Sequence, residues 1–557
     1  MHELITQGRT IAYFSMEIAL ESHIPTYSGG LGVLAGDTVR SAADLGIPFI
    51  GVTLASRAGY FRQEIDAGRQ LEHPATWQPH EFARPLTPRV TVHVDGRDVQ
   101  VAAWEYKVPA CHGEASKATV LLLDTDLPGN HADDRRLTDN LYGGDERYRL
   151  AQEIVLGIGG ARMLEALDVR VHKYHLNEGH AAFLTLELLR RHGGNAEAVA
   201  AVQKQCVFTT HTPVPAGHDQ FEYDLAMKYL GTIADLRMLR KLAGEERLNM
   251  TYLALSLSGW VNGVAKRHAE VSRTMFPGYE VHAVTNGVHP GTWASDAFHA
   301  LFDRHIPYWC HEPELLLQCD RVPLGEIRQA HATSRQALLA YIERVAPAAG
   351  FEPGRCTLGF ARRMTRYKRA HLLFSDLERL KEIGRRFPMQ IVVSGKAHPR
   401  DLEGKEQIAK IHAWARELKG IIPVVFLPGY DMQLGRMLVS GVDVWVNTPQ
   451  RPLEASGTSG MKAALNGVPS LSILDGWWLE GCYEGETGWA IGKDGPHDDD
   501  ADDAASLYEK LEGTVLPLFH TGGDAWTVLM RHTIARNGSF FNSHRMLRRY
   551  VLEAYAA

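Results

Sequence analysis

The chain is poor in the features that mark several common protein classes. Its six cysteines, Cys111, Cys206, Cys310, Cys319, Cys356 and Cys482, are spread over 557 residues, and no two stand close enough for a CxxC motif. A zinc ribbon and a dithiol redox pair are therefore not expected. Such sparse use of cysteine suits a reducing compartment. No stretch approaches the ~18 consecutive apolar residues of a membrane span. The N-terminus "MHELITQGRTIAYFSMEIAL" lacks a basic start followed by a long apolar run, so no signal peptide is expected and the expected location is cytoplasmic. Basic residues are not in excess: the formal net charge is −7. That gives no reason to expect nucleic acid or an anionic membrane as a partner, yet leaves room for local basic sites that take small anions. There is no GxxxxGK[ST] phosphate loop, no obvious Ser-His-Asp set and no internal repeat. A carboxylate pair for glycosidase chemistry is not evident either.

What is present is the composition of an ordinary soluble protein, 45% hydrophobic and 22% charged, long enough for two or more domains at about 100–200 residues each. Short apolar runs alternate with helical patterns. "RTIAYFSME" (9–17), "PFIGVTLA" (48–55), "VQVAAWEYKV" (99–108), "ATVLLLDTD" (118–126), "VRVHKYHLNEGH" (169–180) and "KQCVFTTHT" (204–212) read as strands. So do "TLGFARRM" (357–364), "MQIVVSGKA" (389–397), "IIPVVFLPGY" (421–430) and "GVDVWVNTP" (441–449). Apolar runs that end in glycine and polar residues and lead into helices indicate parallel strands of α/β domains, whose ligands gather at the carboxyl ends of the strands. The pattern occurs twice, up to about residue 285 and again from about 350. Residues 323–345 between the two sets read as a helix. The expected fold is α/β, with two Rossmann-like domains, 1–288 and 289–557, facing a cleft. In "NSHRMLRRYVLEAYA" (542–556) Met546, Leu547, Tyr550, Val551 and Tyr555 fall on one stripe, with Ser543 as the expected N-cap. The run "HDDDADD" (497–503) reads as a solvated loop rather than a cation site.

Five stretches carry residues suited to chemistry. In "TYSGGLGVLAGD" (26–37), Gly29, Gly30 and Gly32 let the backbone approach a ligand and aim N–H groups at an anion at a helix start, or simply make a tight strand–helix turn. "GFARRMTRYKRAH" (359–371) places five basic residues within eight positions just after a strand, and an anion site is favoured over a solvated face. "YHLNEGHAAF" (174–183) and "TTHTPVPAGHD" (209–219) offer His175, Glu178, His180, His211 and His218. Their spacing is no strong metal signature, and hydroxyl binding suits them better, each histidine being equally readable as structural. "VTNGVHPGTW" (284–293) carries Asn-Gly, which marks a turn. Finally "EASGTSGMKAALNGVPS" (454–470) sets Lys462 in a tight turn of small residues. There it binds phosphate as a point charge, forms an imine, or is solvated.

Taken together these motifs resemble the α-glucan (glycogen/starch/maltodextrin) phosphorylase family. "EASGTSGMKAALNG" is similar to the family's pyridoxal-phosphate lysine motif and "RRMTRYKR" to its phosphate-binding motif; "SGGLG", "FTTHT", "TNGVHPGTW", "SGKAHP" and "VVFLPGY" follow in family order. Asn286 to Trp293 and Tyr430 to Glu454 keep the family's intervals. The likeness runs from about residue 10 to the final helix. It implies a glycosyltransferase-B fold whose C-terminal helix crosses back to the first domain, pyridoxal 5'-phosphate held by an imine to Lys462, and reversible phosphorolysis of terminal α-1,4-linked glucose to α-glucose 1-phosphate with retention. The cofactor's phosphate then serves as proton-relay partner of substrate phosphate.

By position, the resemblance implies that Arg363 and Lys368 bind inorganic phosphate with help from the N–H groups of Gly29 and Gly30. Arg362 stands at a family lysine position near the cofactor phosphate. Tyr430, Gly457, Thr458 and Trp293 surround the cofactor, and Glu454, Ser456, Tyr367, Asn286 and His211 hold the sugar. A homodimer is implied, with glucan or maltodextrin as partner. Since the chain starts almost at "IAYFSME", the N-terminal region that carries phosphorylation and nucleotide control in some relatives is expected to be missing. Asp431 departs from the basic residue of many relatives, and Trp477 and Trp478 stand where an acidic run is common. One of these tryptophans is expected to stack on a sugar, or both pack in the core. A nucleotide-sugar glucosyltransferase resembling glycogen synthase is the alternative enzyme, and a silent glucan-binding protein the alternative from another class. A synthase does not need Lys462 in its setting, and intact candidates for every family role argue against the silent protein.

Overall fold

A computed structural model of the chain describes residues 9–111, 116, 118–214, 217–495 and 499–556. They divide into two compact units, one of Met1–Phe61, Pro74–Thr285 and Met546–Ala557, the other of Arg62–His73 and Asn286–Arg545. The first unit opens with β1 (Thr10–Ser15) and β2 (Phe49–Leu54), joined through helix α1 (Gly30–Asp44). The antiparallel hairpin β3 (Arg62–Asp66) and β4 (Arg69–His73) belongs to the second unit. β5 (Arg97–Lys107), β6 (Ala118–Asp124), β7 (Val171–Asn177), β8 (Cys206–Thr209), β9 (Trp260–Gly263) and β10 (His282–Ala283) return to the first unit, whose sheet runs β10-β9-β8-β7-β1-β2-β6-β5. Neighbours from β10 to β6 are parallel, whereas β5 pairs antiparallel with β6 and with the short strands Arg84–Pro85 and Val90–Val94, which bring the sheet to ten strands. The sequence placed 99–108 among the parallel strands. Its exposure alternates along the strand, which is the pattern of an antiparallel strand covered on one face.

The second unit carries helix α2 (Leu324–Val345), as its sequence pattern predicts, and a six-stranded sheet. Its strands are β11 (Cys356–Ala361), β12 (Met389–Ser394), β13 (Val424–Leu427), β14 (Val444–Asn447), β15 (Ser470–Ile473) and β16 (Gly488–Ile491), in the order β13-β12-β11-β14-β15-β16, all parallel. Every residue of β11, β12 and β14 is buried, because helices cover both faces. β15 and β16 escape the sequence reading because four-residue apolar runs are too short to separate from helix or loop. Helix α3 (Met432–Gly441) follows β13 and α4 (Ser459–Leu465) follows β14.

The acidic run is not a solvated loop. His497 and Asp498 lie outside the described residues, but Asp499 caps helix α5 (Asp500–Lys510) by accepting the N–H groups of Ala501 and Asp502. The first turn then holds three carboxylates, as the positive end of the helix dipole favours. Asp503 is buried against Arg369 and Arg451. The last helix, α6 (Ser543–Tyr550), is capped by Asn542, not Ser543: Asn542 Oδ1 accepts the Arg545 N–H at 2.7 Å. Its expected stripe is real. Met546, Leu547, Tyr550, Val551 and Tyr555 are all buried in the core of the first unit, where the Tyr555 hydroxyl lies 2.6 Å from His175 Nδ1. Leu547→Ala is expected to lower stability by about 2–5 kcal/mol, the range for emptying a buried leucine site, read as a fall in the midpoint of urea unfolding.

Candidate active site

In both sheets strand order reverses beside the earliest strand, between β1 and β7 in one and between β11 and β14 in the other. Parallel sheets open a crevice at the carboxyl ends of such strands, and in the second unit Arg362 and Lys368 follow β11 and Glu454 follows β14. In the second unit Arg362 leaves β11 and donates to Asn447 Oδ1 at the end of β14, across the reversal. Its other terminal nitrogen lies 2.5 Å from Glu454 Oε2, and Lys368 Nζ reaches both Glu454 oxygens at 2.6 and 2.8 Å. All three side chains are buried. Burial opposes ionisation of Glu454, yet the adjacent Arg362 and Lys368 charges hold its carboxyl at about 2. Tyr367 lies half-buried under the Lys368 ammonium, 4.4 Å from Nζ to the ring centroid. Arg363 is exposed at the same strand end. Asp475, past β15, accepts the N–H groups of Glu454 and Gly476, and burial pushes it up to about 6.

Lys462 is buried in α4 with Nζ 3.7 Å from the centroid of the Trp293 ring, an attraction of about 2 kcal/mol where water is excluded. Asn466, at the end of α4, sets this pair. Its amide donates to the Trp293 and Lys462 carbonyls, at 2.9 and 3.0 Å, and accepts the Ser295 N–H at 2.8 Å. Gly457 has φ +83°, which other residues avoid, and leads past Thr458 into the helix. Tyr430, half-buried past β13, has its hydroxyl pushed up to about 12, first by burial and then by Asp431, so it is neutral at physiological pH. Asp431, the departure noted in the sequence, caps α3 by accepting the Leu434 N–H at 2.8 Å.

These residues fit pyridoxal phosphate. Two buried cations, Arg362 and Lys368, share the one carboxylate of Glu454, while Asp475 ionises only near pH 6. The deficit is one of negative charge, which a phosphate group supplies. Ser456 Oγ and Asn286 Oδ1, both expected to meet sugar, are buried without a hydrogen-bond partner among the described residues. Such atoms cost about 1–3 kcal/mol each until a ligand or water pairs them.

Two features were missed or misread in the sequence, and a third was left open. The hairpin places buried Gln63 and Gln70 against the loops after β12 and β13: Gln63 donates to Gly395 O and accepts the Gly429 N–H, while Gln70 donates to Ala397 O and accepts the Ala397 N–H, all at 2.9–3.0 Å. Two glutamines spaced for one face of a hairpin were the available signal. Gly287 serves not a turn but a close approach, since a Cβ there would lie 2.1 Å from Asn542 O. Trp477 and Trp478 are core residues, buried and 5.1 Å apart between centroids, with Trp477 also edge-on to Phe541. The sugar-stacking role is withdrawn.

In the first unit Ser15 and Asn177 end β1 and β7 and hydrogen bond at 3.1 Å. Glu17, unremarked in the sequence, accepts the N–H groups of Ser28 (2.5 Å) and Gly29 (3.2 Å) and the Tyr142 hydroxyl (2.9 Å). The Gly29 N–H is thus engaged by a carboxylate, while Gly30 is exposed with open space around it. Glu178 is held at φ +70°, strain that such sites maintain when neighbours over-determine it. It accepts the His211 N–H (2.8 Å) and the Thr212 hydroxyl (3.0 Å). His211 is pushed down to about 3, chiefly by burial and then by the His268, His175 and His180 rings. A neutral ring with Nε2 2.6 Å from Asn177 Oδ1 carries its proton on Nε2 and keeps Nδ1 as an acceptor. His175 bridges Tyr555 and Thr209, and His218 stacks on Phe276; both are structural. His180 lies 3.5 Å from Asp219.

Compared with known proteins, the profile of the carbohydrate phosphorylases matches residues 17–138 and 218–484. The chain belongs to the carbohydrate phosphorylase family. Relatives include a maltodextrin phosphorylase of Thermococcus litoralis and a glycogen phosphorylase of Mycobacterium tuberculosis, each 38% identical over 98% of this chain and 70% of its own length. A glycogen phosphorylase of Aquifex aeolicus is 34% identical over 99% of this chain and 87% of its own length. Among the described residues no helix is long and apolar enough to cross a membrane.

Two outcomes are expected of this carbohydrate phosphorylase family site. Glu454→Gln leaves Arg362 and Lys368 without their shared carboxylate, at a cost of about 3–5 kcal/mol. Millimolar inorganic phosphate should then raise the melting temperature of the variant more than that of wild type, as calorimetry can measure. Asp475 is raised above its ordinary 3.8 to about 6, so its stabilising contribution is fully present below about 3.8 and lost as pH rises through about 6. Relative to wild type, Asp475→Asn should gain up to about 3 kcal/mol between pH 4 and 7, followed by urea titration.

Proposed function

We propose that the chain is a pyridoxal-phosphate-dependent α-1,4-glucan phosphorylase, releasing terminal glucose from glycogen, starch or maltodextrin as α-glucose 1-phosphate with retention. The observation that carries this is the buried Arg362–Glu454–Lys368 cluster beside a buried Lys462 on the face of Trp293, in a chain whose relatives are named as glycogen and maltodextrin phosphorylases. A nucleotide-sugar glucosyltransferase has no use for a buried lysine in that turn. When bound, the cofactor supplies its phosphate as a proton-relay group.

The chain's residues do the rest. Lys462 Nζ would carry the cofactor covalently, with Trp293, Tyr430, Gly457 and Thr458 around it and Arg362 on its phosphate. Lys368 and Arg363 would hold inorganic phosphate. Placing two anions side by side needs this concentration of cations in a site that excludes water. With Arg362 and Lys368 engaged by phosphate, Glu454 would be free to accept a sugar hydroxyl, with Ser456, Asn286 and Tyr367 as further hydroxyl partners. Phosphorolysis breaks the bond from the anomeric carbon to the glucan O4, forms one from that carbon to a phosphate oxygen, and delivers the phosphate proton to O4. A cytoplasmic homodimer belongs to the same proposal.

The test is a visible spectrum of the purified protein before and after borohydride, followed by glucose 1-phosphate release from maltodextrin. Lys462→Ala should lose the borohydride-fixed absorbance and at least ~10³-fold in turnover, about 4 kcal/mol in the barrier. Phosphorolysis without pyridoxal absorbance, or glucosyl transfer from a nucleotide sugar without phosphate, overturns the proposal.

A further inference from the structure

The acidic stretch 499–503 has no part in the proposed chemistry, yet its end is built into the second unit. Asp503, 1% exposed, accepts Arg369 Nη2 on one oxygen at 2.7 Å and Arg451 Nη2 on the other at 2.8 Å. Asp500 accepts Arg369 Nη1 at 2.7 Å and lies 3.0 Å from His371 Nε2. The fold makes room for this pair. Gly492, at φ +68°, sits where a Cβ would be 2.5 Å from Asp503 Oδ1 and 3.2 Å from Arg451 Nη1.

Arg369 follows Lys368 directly and is held at φ +47°, ψ +50°, which residues other than glycine keep only when their surroundings impose it. Its rigid fork of donors joins two loops. Nε donates to Thr448 O at 3.1 Å and Nη2 to Pro449 O at 2.9 Å. In return the Thr448 hydroxyl donates to the carbonyls of Lys368 and Arg369, at 3.2 and 3.0 Å, and the Gln450 N–H donates to Tyr367 O at 2.7 Å. The turn 366–369 and the segment 448–452 thereby become one hydrogen-bonded body. Lys368 stands on the first, and Glu454 stands just past the second.

We propose that Asp503, assisted by Asp500, is a positioning residue for the anion site: by neutralising and orienting Arg369 it sets the register between Lys368 and Glu454. The inference rests on the reading of Lys368 as a phosphate ligand. Asp503→Asn keeps the shape, removes the charge and turns a donor toward the guanidinium. Asp502→Asn, one residue away and exposed, removes the same charge from the same helix turn as a control.

The experiment compares both variants with wild type as cofactor-loaded protein, by amide hydrogen exchange and by the KM for inorganic phosphate in maltodextrin phosphorolysis. For Asp503→Asn, exchange at 366–369 and 448–452 should rise together at least tenfold. The KM for phosphate should rise about tenfold, equivalent to about 1.4 kcal/mol, with Asp502→Asn matching wild type in both. Unchanged exchange at the two loops overturns the proposal, and so does raised exchange with an unchanged KM, since the pair would then be merely structural. If wild type releases no glucose 1-phosphate, the phosphorylase reading falls, while the exchange comparison alone still decides whether Asp503 joins the two loops.

Discussion

The site of the second unit depends on one buried ion cluster, in which Arg362 and Lys368 close on Glu454. Removing three charges from water is costly, and mutual attraction repays it only with good geometry and further hydrogen bonds. The surrounding structure meets both demands. Asn447 takes a second donor from Arg362, the Asp475 carboxylate fixes the Glu454 backbone, and Thr448 and Gln450 fix the backbone of the Lys368 turn. The cluster sits where strand order reverses between β11 and β14, the one place in the sheet where two neighbouring strand ends part and leave room for side chains.

Lys462 belongs to the same arrangement but is positioned by different forces. Its helix is short and rich in small residues, and Gly460 lies so near the Trp477 ring that a Cβ would come within 2.7 Å. Asn466 ties the helix end to Trp293, and Trp293 in turn covers the ammonium. Small residues before the lysine therefore serve packing, and packing makes the lysine dry. The first unit shows a parallel economy: Glu17 and Glu178 follow strand ends, and each uses its carboxylate to hold the backbone N–H groups of a loop.

Much of this was legible in the sequence. The alternation of apolar runs and helices marked ten strands, and the structure contains all ten, with one reversed in direction. The basic cluster after β11 and the lysine turn after β14 were recognisable because strand ends in α/β sheets carry the chemistry. The errors share a cause. Asp503 and the Gln63–Gln70 hairpin were misread or overlooked, and Trp477 and Trp478 were left between two readings, because the deciding neighbours are distant in the chain. Asp503 looks solvated until Arg369, 134 positions away, reaches it; Gln63 looks like a surface residue until Gly395, 332 positions away, receives its amide.

The sequence by itself determined the fold class, the family and the residue types of the site, since these depend on local periodicity and on motifs a few residues long. Tertiary structure alone decided which unit the hairpin 62–73 joins, that the acidic run ends in a buried ion pair, and that Glu454 holds two cations. Those outcomes depend on desolvation and on distances between segments remote in the chain, which no local pattern encodes.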